Sequence, residues 1–217
     1  MTATMHSLVP DAPPESGLLG RVQYWFACLF AFGWSVAVCA GLYYQFGRGD
    51  IPCPLCVVQR MFMLLAALGA AYVIRAALLS GTVPARVYMT GWGMSLVAAI
   101  GGSFASWRQT MLYVLPGAEG YGGEVLGLHL YHWAWILFQF SVVAIGVVLA
   151  FAHATADRAV LAVRPGPLRT AGMCALWFLG MVIAVSTLAV FLQEGFHWFL
   201  PDGPNRYQFF YDVGILG

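Results

Sequence analysis

Ile51-Pro52-Cys53-Pro54-Leu55-Cys56-Val57-Val58-Gln59-Arg60 is the stretch on which the reading of this chain turns. It holds the only close pair of cysteines, and long apolar segments flank it on both sides. Residues 22–47 carry no charged side chain, and residues 57–79 carry only Arg60 and Arg75. Three more uncharged runs follow, at residues 87–107, 125–156 and 170–193. Each run reaches the roughly 20 residues that a helix needs to cross a bilayer. Arg60 and Arg75 stand 15 residues apart in sequence, about 22 Å along a helix. Arg75 can therefore snorkel to one interface while Arg60 lies just inside the other.

Composition agrees: 61% of the 217 residues are hydrophobic and only 9% are charged. The runs are too long for barrel strands, and a spanning segment must satisfy its own backbone groups. The expected fold is an all-α integral membrane protein with five transmembrane helices, at about residues 22–46, 55–79, 87–107, 131–152 and 168–193. The net charge of +1, with no basic patch, gives no footing for nucleic acid.

Arginine placement sets the expected orientation. With the N-terminus inside, the inner segments hold Arg21, Arg75, Arg86, Arg158, Arg164 and Arg169, and the outer ones hold Arg48, Arg60, Arg108 and Arg206. This split favours an inside N-terminus and an outside C-terminus. The cysteine pair then faces a compartment in which disulfides persist. The first helix lacks the short apolar core and A-x-A end of a cleaved signal and is expected to be retained. Residues 1–20 read as a mobile tail. Residues 108–128, rich in glycine with Pro116, read as an irregular outer loop, and residues 197–217 as an aromatic tail on the outer membrane surface.

Two cysteines at C-x-x-C spacing at a helix start have a definite chemical use. Backbone N–H groups and the helix dipole there favour thiolate over thiol, and the thiolate is the attacking and leaving species in disulfide exchange. Other uses fit less well. A structural zinc site ordinarily takes four ligands, and no histidine stands near this pair in sequence. Haem attachment calls for histidine where Val57 stands. A structural disulfide closing so short a loop restricts the unfolded chain little. Arg60 follows Cys56 by four residues and shares its helix face. It is placed either to stabilise a thiolate or a reduced electron acceptor, or simply to snorkel to headgroups. Gln45 is a polar group near the pair at the end of the first helix. Cys28 and Cys39 read as small apolar filler, and His129 and His132 as interfacial residues.

The run Leu42-Tyr43-Tyr44-Gln45, followed by Pro52-Cys53-Pro54-Leu55-Cys56-Val57-Val58-Gln59-Arg60, resembles the disulfide bond formation protein B (DsbB) family. The resemblance continues through Arg108-Gln109-Thr110-Met111-Leu112-Tyr113, Leu115-Pro116 and Leu126-Gly127-Leu128, and covers about residues 22–152. It implies a DsbB-like four-helix transmembrane bundle at 22–152, after a cytoplasmic tail at 1–21. Residues 153–217 then add an inner loop, a fifth C-terminal transmembrane helix and a short periplasmic tail. It implies a thiol:quinone oxidoreductase of the bacterial inner membrane, passing electrons from a periplasmic thioredoxin-fold (DsbA-like) partner to ubiquinone or menaquinone, a route the field knows as DsbA–DsbB–quinone. Cys53 and Cys56 take the catalytic positions, with Cys53 the more exposed sulfur that the partner dithiol attacks. Arg60, Gln45, Gln109 and Tyr113 take the quinone-facing positions, between helices 1, 2 and 4.

The chain departs from the family in two ways. The family carries a second cysteine pair in the loop between helices 3 and 4, and residues 108–128 contain none. The fifth helix has no counterpart in the four-helix pattern. Three readings follow: a shortened relay in which the partner exchanges directly with Cys53; a relay completed in trans by a separate cysteine-pair protein; or a non-catalytic membrane subunit or assembly factor on the same scaffold.

Overall fold

The computed structural model describes residues 18–80, 83–114, 120–152, 166–197 and 204–215. Four expectations lie outside the described residues: the tail at 1–17, Leu115-Pro116, and the inner-loop arginines Arg158 and Arg164.

Long uncharged runs become long helices: α1 Leu18–Gly47, α2 Pro54–Ser80, α3 Ala85–Leu112, α4 Leu130–Ala150 and α5 Pro167–Glu194, with a short α6 at Gln208–Asp212. The fold is an all-α membrane bundle. Helices α1, α2, α4 and α5 are long and apolar enough to cross a membrane. Helix α3 has 28 residues, but its threonines, serines, glycines and Arg86 and Arg108 make it less apolar. It is held on both sides, against α2 and against α4. Helix α2 sits at the centre and also packs on α1 and α5.

Small residues allow this close packing, which in a bilayer rests on van der Waals contact and interhelical hydrogen bonds. A Cβ on Gly69 of α2 would come within 2.4 Å of the Gly91 carbonyl oxygen on α3. At the same crossing Ser95 Oγ donates to the Ala66 carbonyl at 2.7 Å. Two buried clusters fill the bundle. One surrounds Tyr24, Ile74, Trp92 and Ile145. The other surrounds Trp34, Met63, Phe138 and Leu179 and lies under the cysteine pair.

Helix α3 does not stop at Trp107. It continues to Leu112, because no breaker intervenes and Thr110 Oγ1 donates back to the Ser106 carbonyl at 3.0 Å. Gln109 is therefore a helix residue, not a loop residue. The loop that follows is also more regular than expected. Glu124–Val125 and Leu128–His129 pair as a two-residue antiparallel hairpin. Its turn places Leu126 at φ 53 and Gly127 at φ 77, the left-handed pair that a two-residue hairpin turn uses. In the C-terminal segment Phe209 packs on Phe191 of α5 at 5.4 Å between ring centroids. Asp212 accepts the Phe196 N–H at 2.9 Å, which holds its carboxyl below the usual carboxylate range.

Candidate functional site: a dithiol on the wall of an apolar cavity

Gly49, at φ 76, turns the chain out of α1, and Asp50 N–H closes back on the Tyr44 carbonyl at 3.1 Å. The strap 50–53 then enters α2. Cys53 is the N-cap of that helix. Its carbonyl accepts the Val57 N–H at 3.1 Å, and its sulfur accepts the Cys56 N–H at 3.3 Å, the third helical position that a capping side chain ordinarily serves. Pro54 stands at the first helical position, where the missing N–H costs nothing. These constraints bring Cys53 Sγ to 2.7 Å from Cys56 Sγ, and both are free cysteines.

Cys53 keeps its proton far above the ordinary thiol range. The hydrogen bond with Cys56 is the largest cause, burial the next, and the backbone N–H groups of Cys56 and Leu55 oppose them. Cys53 is not the exposed sulfur that the sequence suggested. It is 7% exposed, whereas Cys56 is half-buried and faces the cavity. The strap lies over Cys53 because both neighbouring carbonyls are held: Tyr121 Oη donates to Ile51 O at 2.6 Å, and Gln193 Nε2 of α5 donates to Pro52 O at 2.7 Å.

Glutamines surround the pair. Gln109 Nε2 of α3 points at both sulfurs, 3.5 Å from Cys53 Sγ and 3.4 Å from Cys56 Sγ. Its Oε1 accepts from Gln59 Nε2 at 2.7 Å. Gln45, Gln59, Gln109 and Gln193 are all buried, so each must find a polar partner inside the bundle.

One turn below Cys56, Arg60 does not snorkel outward. It is buried at 8% exposure. Its Nη1 donates to Gln45 Oε1 at 2.5 Å and its Nη2 to the Gly41 carbonyl at 2.8 Å. Gly41 leaves room for this, since a Cβ there would meet Arg60 Nε at 3.0 Å. Among the described residues no carboxylate pairs with the guanidinium. A buried cation with only neutral partners is costly in a membrane.

Cys56 and Arg60 share one wall of a cavity of about 170 Å³. Ala37, Ala40, Gly41 and Tyr44 of α1 form a second wall, and Tyr131, Ala134 and Leu137 of α4 a third. Gly122 and Gly123 close the end nearest the strap. The hairpin is fixed there by Tyr44 Oη to Glu124 O at 3.2 Å and Trp133 Nε1 to Val125 O at 2.9 Å. Burial, and then negative charge at Cys53 and Cys56, pushes Tyr121 up to about 12, so it stays a hydrogen-bond donor to the strap. Most of the lining is apolar, with Asp50, Gln59, Arg60 and Tyr121 as its polar members beside the Cys56 thiol.

The structure thus gathers Cys53, Cys56, Arg60, Gln45 and Gln109. Tyr113 stands one ring away from the cavity: it packs on Tyr131 at 5.7 Å between centroids. Sequence reasoning missed Gln59, Tyr121 and Gln193 as site residues. Gln59 and Gln193 each offered one signal, a glutamine inside or at the end of an apolar run. Tyr121 offered none, because its role depends on where the hairpin folds back. Cys28, Cys39 and Cys174 remain free on α1 and α5.

Residues 23–120 match the family described as disulfide bond formation protein DsbB. Over 77 residues the chain is 35% identical to disulfide bond formation protein B 2 of Pseudomonas fluorescens (strain Pf0-1), covering 35% of this chain and 39% of that protein. Over 88 residues it is 36% identical to disulfide bond formation protein B of Chromobacterium violaceum, covering 38% of this chain and 50% of that one. The corresponding protein of Polaromonas naphthalenivorans is 36% identical over 88 residues, with 41% and 49% covered. The chain thus spans half the length or less of these relatives. No solved structure matches it. Helices α4, α5 and α6 lie beyond the matched residues, and the dithiol, Gln45, Arg60 and Gln109 lie within them. The segment that carries the dithiol, Gln45, Arg60 and Gln109 is thus similar to the disulfide bond formation protein DsbB family.

Proposed function

We propose that this chain is a membrane thiol:quinone oxidoreductase that reoxidises a periplasmic dithiol partner of the thioredoxin fold. The observation that carries the reading is a dithiol with sulfurs 2.7 Å apart, one of which shares a largely apolar cavity with a buried arginine that pairs with no carboxylate among the described residues.

In the oxidised chain, a partner thiolate attacks Cys53, on the strap side, and Cys56 leaves as thiolate. The partner's second thiol then attacks its own mixed-disulfide sulfur and releases Cys53. The partner leaves oxidised, and Cys53 and Cys56 hold two electrons and two protons. Attack on Cys53 requires the strap or Tyr121 to move aside, given the burial of that sulfur. Gln109 keeps the sulfurs together and turns an N–H toward whichever carries charge. Cys56, on the cavity side, is the exit for electrons. Arg60 offsets negative charge in the cavity, and Gln45 and the Gly41 carbonyl keep its guanidinium there. A membrane quinone, ubiquinone or menaquinone, would supply a two-electron acceptor there, and Arg60, Cys56, Tyr131 and Leu137 would hold it. Gln45 and Gln109 act through Arg60 and the sulfurs, and Tyr113 supports Tyr131.

The proposed setting is the bacterial inner membrane, with the cysteine end periplasmic, the N-terminus cytoplasmic and α3 completing five spans. Residues 22–152 form the DsbB-like unit and residues 153–217 an addition to it. The absence of cysteine from residues 108–128 favours direct exchange at Cys53, or a cysteine-pair protein acting in trans. It also motivates the rival reading of a non-catalytic subunit. The deciding experiment follows the thiol state of Cys53 and Cys56 in membranes by alkylation and gel shift, with and without added quinone. Oxidation of the reduced pair only in the presence of quinone is expected. A pair that stays in one state whatever the quinone supply refutes the oxidoreductase reading. A separate cysteine-pair protein that co-purifies and is required for oxidation establishes the route in trans.

A further inference from the structure

Helix α5 lies outside the matched family segment, yet it reaches the redox centre. Gln193, in its last turn, is 2% exposed. Its Nε2 donates to the Pro52 carbonyl at 2.7 Å, across 141 residues of sequence. Pro52 immediately precedes Cys53. Its Oε1 has no hydrogen-bond partner among the described residues, so the strap is the one polar group there that this glutamine serves. An apolar side chain would fill the same place without burying an unpaired oxygen. The Ile51 carbonyl is held separately, by Tyr121 at 2.6 Å. Pro52 and Pro54 remove two backbone donors on either side of Cys53, so next to Cys53 the strap is fastened by its carbonyls. Helix α5 is itself anchored along α1 and α2, which gives Gln193 a rigid base.

We propose that α5 is a clamp on the dithiol: Gln193 is a positioning residue that holds the strap so that Cys53 stays in bonding reach of Cys56, and thereby favours the disulfide over the dithiol. The proposal rests on the reading of Cys53 and Cys56 as a reversible redox pair. Two thiols held in place close their bond at a higher effective concentration than two thiols on a loose strap. The closing step is balanced: the two thiols give up two protons and two electrons as the S–S bond forms. In a dithiothreitol buffer the oxidised reagent takes up both and opens to its dithiol.

The test uses the full-length chain in detergent or membranes, equilibrated with oxidised and reduced dithiothreitol and read by alkylation. Gln193→Met keeps the side-chain volume and removes the donor. The equilibrium constant for disulfide formation is expected to fall about tenfold, raising the midpoint potential by about 30 mV. Leu179→Ala, at a buried position in the middle of α5, is expected to lower thermal stability and leave the midpoint unchanged. A Gln193→Met midpoint equal to wild type overturns the clamp. So does an equal midpoint shift in Leu179→Ala, which would mean general loosening of the bundle. If the wild-type pair itself shows no reversible exchange with the buffer, the underlying redox reading fails instead, and the clamp falls with it.

Discussion

The chemistry of the site comes down to a few side chains whose partners are unusual. Arg60 is a buried cation bonded to an amide and a backbone carbonyl and to no carboxylate among the described residues. Replacing such a group by a well-packed apolar one is often neutral or stabilising. Arg60→Met is therefore expected to fold, while quinone-dependent reoxidation of the dithiol slows by about a hundredfold; stopped-flow or timed alkylation measures this. Gln109→Leu acts differently, because it strands the Gln59 amide donor in the interior. It is expected to lower stability by about 1–3 kcal/mol as well as slow oxidation, and a thermal melt separates the two effects. Cys53 provides a prediction with a pH sign. Its proton is retained chiefly through the hydrogen bond to Cys56, and a protonated thiol does not alkylate. Cys56→Ala removes that cause, so Cys53 should titrate lower and react with iodoacetamide about tenfold faster at neutral pH, as mass spectrometry of the modified peptide would show. An unchanged rate would mean that burial, not the partner sulfur, controls its reactivity.

At the scale of elements, helix approach sets what the bundle tolerates. Gly69 and Gly102 both fill close contacts, but against different obstacles. A Cβ on Gly69 would lie 2.4 Å from a backbone oxygen and 2.7 Å from a backbone nitrogen of α3. A Cβ on Gly102 would lie 2.2 Å from the end of the Phe138 ring, which a rotation can relieve in part. Gly69→Ala is therefore expected to lower the melting temperature in detergent more than Gly102→Ala, each costing about 1–3 kcal/mol; the reverse order would mean that α2 and α3 separate easily. The hairpin at 124–129 is the other element that matters. It joins α1 and α4 through Tyr44 and Trp133 and so closes the cavity that those helices flank. Among the glycines that read as loop signals in the sequence, Gly122 and Gly123 line this closure. A Cβ on Gly123 would fall 2.0 Å from the Tyr44 ring.

For the whole molecule, five spans place the two termini on opposite sides of the membrane and four place them on the same side. A reporter fused at the C-terminus is expected to be active as alkaline phosphatase and dark as green fluorescent protein, with the opposite pattern at the N-terminus. Matching patterns at both ends would remove α3 from the count of spans. Much of this architecture was legible in the chain itself. Uncharged runs of more than 20 residues can do little in water except aggregate, and in a bilayer little except form helices. C-x-x-C at a helix start, followed by arginine one turn on, shows its local geometry through spacing alone, because neighbours within one helical turn are fixed by the local backbone. What lay beyond one turn was not legible. That Gln109 of α3 reaches both sulfurs, that Gln193 of α5 fastens the strap, that Cys53 is covered and Arg60 turned inward, all depend on which faces of separate helices meet. The sequence by itself determined the long helices and the placing of the cysteine pair and its arginine at the start of one of them. Only the tertiary structure decided which distant glutamines and tyrosines enclose them, since helix-to-helix packing rests on the shape of small residues such as Gly41, Gly69 and Gly102, which no local pattern encodes.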